Sequence, residues 1–175
     1  MSTFLSFPPA YTLQPHADTR QQQLRQWREH VLAWARAERK FELAAPMARS
    51  CPLFENAALP RALSEAGVEA VAASLVAAGE AEFVDAAAAA AGVRLLWRRP
   101  EEVADAVVAY ADATGQRGTV MTTYELLEGG EGAADEAFRG VPLWLLTRGL
   151  EVLVARGCAA VLRGAGGAAE GVKIV

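Results

Sequence analysis

Leu24, Trp27, Val31 and Trp34 recur at intervals of three and four, the spacing of one helical face, and predict a packed helix over residues 19–38. Asp18, with Gln21 three residues on, offers its N-terminal cap. A short extended stretch from Phe41 to Met47 follows, then a proline-bounded segment around Cys51, Pro52, Leu53 and Phe54. Val68, Val71, Ala72, Leu75 and Val76 form a second helical stripe, closed by Gly79 where a helix end favours glycine. Residues 80–85 and 93–97 read as two short strands. The alanines at 86–91 between them are expected to be loop, because six residues are too few for an isolated helix.

The same order then recurs. Pro100 opens a helix with Glu101 and Glu102 in its first turn, and Val103, Ala106, Val107, Tyr110 and Ala111 make its buried stripe. Thr119 to Met121 is extended. Thr122 and Glu125 form a capping box for a short helix through Leu127, stopped by Gly129 and Gly130. Pro142 begins a helix with Leu143, Leu146, Leu150 and Leu153 on one side, and Gly157 ends it. Cys158 to Leu162 and Val172 to Val175 flank a glycine-rich loop as a hairpin. Helix, strand, short helix, long helix and hairpin, written twice over roughly 80 residues each, predict an α+β fold of two tandem winged-helix domains, each a helix-turn-helix core with a β-hairpin wing. The expected divisions are an N-terminal segment at 1–17, a first domain at 18–98 and a second at 99–175.

Composition narrows the chemistry. Of 175 residues, 53% are hydrophobic and 22% charged, enough apolar material for a folded core. Seventeen basic against 21 acidic residues leave a net charge of −4, and alanine supplies about a fifth of the chain. The first candidate recognition helix, Ser64 to Ala78, has no basic residue and carries Glu65 and Glu69; the second has only Arg148 and Arg156. That is too few cations for the phosphate contacts of a winged-helix DNA-binding regulator, the competing function class, so no nucleic-acid partner is expected.

Cys51, Cys158, His16 and His30 match no metal-ligand spacing, so neither metal nor cofactor is expected. No nucleophile elbow or P-loop is present, and Gly164 to Gly167 lacks the strand-to-helix setting of a phosphate loop. The expectation is a protein that is not an enzyme, with His16 in a loop and His30 solvated off the Trp27/Trp34 stripe. With no basic region ahead of an apolar run and no apolar stretch long enough to span a bilayer, a cytoplasmic protein with reduced thiols is expected.

The remaining feature is Phe7, Pro8, Pro9, Ala10, Tyr11, Thr12, Leu13, Gln14 and Pro15. Adjacent prolines favour a polyproline II segment that offers aromatic side chains to a groove at low ordering cost. A tail packed on its own domain and a ligand for a WW domain are the two other readings of this composition.

This segment, together with Asp18, Thr19, Arg20, Gln23, Leu24 and Trp27, the run Pro52 to Asn56, Trp97 to Glu102, Thr123 to Leu126 and Gly171 to Lys173, resembles the small-subunit family of the endosomal sorting complex ESCRT-II. The resemblance implies two copies per complex, each docked on one of two larger winged-helix core subunits. It places the docking contact on Pro8, Pro9 and Tyr11, with Phe7 and Leu13 flanking, and matches Arg61 to a basic residue that pairs with an acidic one of the core. It also implies that the second domain captures a helix of an ESCRT-III subunit, starting filament assembly on endosomes, to which the protein is recruited peripherally; Tyr124 and Leu127 are candidates for that contact. Val103, Tyr110 and Arg139 stand where the family has two tryptophans and a histidine, so the second core is expected to be repacked.

Overall fold

The computed structural model describes residues 3–44, 51–85, 92–128 and 138–175. The end of the expected Phe41–Met47 stretch, the alanine run and the Gly129–Gly130 stop lie outside them. The chain divides into two compact units, Met1–Trp97 and Arg98–Val175.

In the first unit, two 3-10 turns, Thr3–Ser6 and Pro8–Tyr11, precede α1 (Ala17–Ala37). Strand β1 (Glu42–Ala44), a 3-10 turn at Pro52–Phe54 and a two-rung hairpin of β2 (Glu55–Asn56) and β3 (Arg61–Ala62) follow. Then come α2 (Glu65–Ala77) and the strands β4 (Ala81–Phe83) and β5 (Gly92–Leu95), in a sheet of order β1-β5-β4. Ser64 caps α2, its hydroxyl accepting from the Gly67 N–H at 3.2 Å. The core gathers Trp27, Val31 and Ala35 of α1 against Val68, Val71 and Leu75 of α2, with Phe54, Val93 and Leu95.

The second unit runs α3 (Pro100–Ala113), β6 (Val120–Thr122), α4 (Thr123–Glu128), α5 (Leu143–Ala155), β7 (Ala159–Arg163) and β8 (Ala169–Ile174). Its sheet has the order β6-β8-β7, so both units place the last long strand between its hairpin partner and the short strand after the first helix. The expected capping box is present: the Glu125 N–H donates to the Thr122 hydroxyl at 3.1 Å, and the Thr122 N–H donates to the Glu125 carboxylate at 2.7 Å. The Thr122 N–H and, at 2.9 Å, the Thr122 hydroxyl both donate to the Glu125 carboxylate and hold it below its ordinary value.

Two local expectations are corrected, and one element had none. α1 begins one residue before Asp18, with His16 at the cap and no side-chain cap bond, so Asp18 acts as a first-turn acid against the helix dipole. Leu143 is 47% exposed, and Leu145 takes the buried place beside Leu146, Leu150 and Leu153. The rest of the expected α5 stripe is buried, and Gly149 joins it where the helix meets Val103 of α3. The β2–β3 hairpin has no sequence counterpart, since two rungs leave no periodicity to read.

Candidate functional site

The polyproline II expectation for the N-terminal segment is overturned. Pro8 to Tyr11 form a 3-10 turn, a geometry that the fixed proline φ also permits. Tyr11 points inward, 5% exposed, its ring meeting Trp27 edge to face at 5.6 Å and its hydroxyl donating to the Leu5 carbonyl at 3.1 Å. Phe4 and Phe54 meet the same indole at 5.5 and 5.7 Å. Burying the tyrosine in an aromatic cluster outweighs keeping the segment extended in water. This also counts against the WW-ligand reading, which needs the tyrosine ring in a partner's groove.

Of the expected docking residues, Phe7 is 60% exposed, Pro8 and Pro9 are exposed, and Leu13 is half-buried. Arg61 is exposed on β3, opposite Asn56, and makes no ion pair among the described residues. Strand β3 packs against the Pro8–Tyr11 turn, and the Asn56 side chain donates to the Leu5 carbonyl at 2.9 Å. The fold thus brings Arg61 beside the proline turn, 50 residues earlier in sequence.

Two residues at this site have roles that the sequence reading did not give them. Gln23, 5% exposed, is the one charged or polar residue buried among the described residues, and it holds the N-terminal backbone. Its signal was its place on the α1 stripe, four residues before Trp27. His30 is half-buried against Trp27, with ring centroids 5.8 Å apart, and lines a cleft of ≈ 670 Å³ with Leu5, Trp34 and Leu59. Burial lowers its pKa, opposed in part by a hydrogen bond to the Leu53 backbone. The expectation of a solvated His30 fails because the 52–54 turn, invisible to helical periodicity, covers that flank of α1.

In the second unit Tyr124 is 73% exposed on the first turn of α4, Leu126 is buried and Leu127 half-buried. The three substituted positions are packed. Val103 is buried against Gly149, the Tyr110 ring meets Phe138 at 5.4 Å, and the Arg139 guanidinium lies 5.7 Å from the Tyr110 ring centroid.

The arginines on α5, at its C-terminal cap and on β7 are engaged within this unit. Arg148 lies over the Trp144 ring at 5.5 Å, Arg156 pairs with Asp105 and Arg163 with Glu151. In the first unit α2 presents no cation. Among the described residues no cluster could hold a metal ion, and no helix is long and apolar enough to cross a membrane.

The two units define a tandem winged-helix protein whose third helices lack the free cations with which such folds grip DNA. Comparison with known proteins gives the family. Residues 4–142 match the ESCRT-II complex subunit family, and the chain belongs to it. It is 36% identical over 147 residues to vacuolar protein-sorting-associated protein 25 of Homo sapiens, covering 84% of this chain and 82% of that one. Against the Arabidopsis thaliana protein it is 33% identical over 173 residues, covering 97% and 92%. The crystal structure of subunit VPS25 of ESCRT-II superposes with a TM-score of 0.84 at 23% identity, covering 100% of this chain and 98% of that one. A chain in the crystal structure of endosomal complex ESCRT-II (VPS22/VPS25/VPS36) is similar at a TM-score of 0.81 and 22% identity, covering 99% of this chain and 98% of that one.

Proposed function

We propose that this chain is the small, non-catalytic adaptor subunit of ESCRT-II. It docks on two larger winged-helix core subunits, of the kind named VPS22 and VPS36 in the similar complex, with two copies of the chain per assembly. Phe7, Pro8, Pro9 and Arg61 meet the core subunit, Leu13 flanks them, and Tyr11 holds the turn that carries them. The second unit, from Arg98 onward, captures an ESCRT-III helix at the exposed side of α4, through Tyr124 and Leu127. The assembly works in the cytoplasm at endosomal membranes, in multivesicular-body sorting of ubiquitinated cargo.

One observation carries the docking reading: on a domain whose own core is closed, an exposed aromatic-proline turn packs against the strand that carries Arg61, which makes no ion pair among the described residues. Exposed apolar groups beside one uncompensated charge suit a protein partner with an apolar pocket and a carboxylate. Co-expression with the two larger subunits, capture through one of them and intact-mass measurement tests it. A stable assembly holding two copies is expected; failure to co-purify, or a single copy, overturns it.

A further inference from the structure

We infer that Gln23 is the positioning residue that keeps the docking segment in a preformed turn, so that the partner meets a rigid ridge of Phe7, Pro8 and Pro9 and not a free peptide. This rests on the docking reading of that segment.

The geometry is that of a clamp. The Gln23 amide nitrogen lies 3.3 Å from the Pro9 carbonyl, 2.8 Å from that of Ala10 and 3.0 Å from that of Thr12. Its oxygen accepts from the Gln14 N–H at 3.1 Å. One turn further along α1, the Trp27 indole N–H donates to the Ala10 carbonyl at 3.0 Å. The Thr12 N–H closes the turn on the Pro9 carbonyl, and the Gln14 side-chain amide donates to the Pro9 and Thr12 carbonyls at 3.0 and 2.8 Å. The buried Gln23 amide adds its donors to these carbonyls and accepts the Gln14 N–H, and so fastens the turn to α1.

The consequence is selective. The clamp grips main-chain atoms and the Tyr11 ring fills the core, while Phe7, Pro8 and Pro9 stay outside. Their backbone is therefore ordered before any partner arrives, and docking avoids much of the entropy loss that a disordered proline peptide undergoes.

The test uses the full chain and the purified larger ESCRT-II subunits. In Gln23→Met the side chain keeps its length and loses both its donors and the oxygen that accepts the Gln14 N–H. The apparent dissociation constant scales inversely with the fraction of chains in the binding-competent form. We expect affinity to fall about tenfold, and the Thr12 and Gln14 amides of the free variant to exchange hydrogen at nearly the rate of an unstructured peptide. Amides of α1 and β5 should keep their protection, which a merely destabilised fold would not do. Affinity retained while those two amides exchange freely would overturn the inference, as would affinity lost with the segment still protected.

Asn56→Ala, which removes the side-chain bond to the Leu5 carbonyl from a different element, should produce a smaller change in both readouts together; a change in one without the other counts against the clamp. Phe7→Asp separates the two claims. It should abolish docking with exchange unchanged, and if docking survives, the docking reading itself has failed.

Discussion

Gly149 on α5 sits against Val103 on α3 so closely that a Cβ in its place would lie 2.8 Å from the valine Cγ1 and 3.2 Å from the Pro100 carbonyl oxygen. In an exposed helix, alanine for glycine gains about 1 kcal/mol. Here the neighbours are a fully buried valine and a backbone oxygen that cannot rotate away, and overpacking costs about 1–3 kcal/mol. Gly149→Ala should therefore lower stability by about 1–2 kcal/mol in denaturant unfolding. Adding Val103→Ala should recover part of that loss relative to Val103→Ala alone; strict additivity would show that the two side chains do not meet.

Tyr11 belongs to the first unit's core. Tyr11→Phe removes only the hydroxyl's bond to Leu5 and should cost about 1 kcal/mol, with docking largely kept. Tyr11→Ala empties an aromatic site and should cost about 3–5 kcal/mol. An alanine variant as stable as the parent would show that the segment does not pack on the domain.

Burial sets the folded pKa of His30 below its ordinary value of 6.5. The unfolded chain then binds the additional proton, so unfolding free energy rises with pH across this range. Stability is in place above pH 6.5 and declines as the pH falls below it. Urea midpoints at pH 7.5 and about 5.5 should differ in that direction, and His30→Asn should flatten the slope. An unchanged slope would assign the effect to other groups.

Arg61→Asp should leave unfolding within about 0.5 kcal/mol of the parent, since the side chain is exposed and makes no ion pair among the described residues. Reversing the charge places two acids together at the proposed interface, and binding to the larger subunits should weaken by tenfold or more, roughly. Equal binding would remove Arg61 from the interface.

Tyr124→Asp likewise alters an exposed position and should change stability by less than about 0.5 kcal/mol. Capture of an ESCRT-III first-helix peptide by the full chain, measured by titration calorimetry, should fall by about tenfold or more, as for loss of an aromatic contact anchor. Unaltered capture would direct attention to another face of the second unit.

The helices and wings were legible in advance because their signals are local. The α1 stripe, the Ser64-to-Gly79 helix and the Thr122/Glu125 box each concern residues three or four apart, which a helix places together whatever surrounds it. Leu143 was misjudged because a run of leucines on α5 marks an apolar helix without showing which side a glycine frees for α3. His30 was misjudged because its cover comes from residues 52–54, about 20 positions away.

By itself the sequence determined the order of elements, the tandem winged-helix class, the family and the scarcity of cations on the third helices. Only the tertiary structure decided that the Pro-Pro-x-Tyr segment turns instead of extending, that its tyrosine faces inward, and that Arg61 stands beside it. The reason is physical: prolines restrict φ without choosing between extended and turned ψ. That choice falls to partners distant in sequence, the Gln23 amide, the Trp27 indole and the β3 edge.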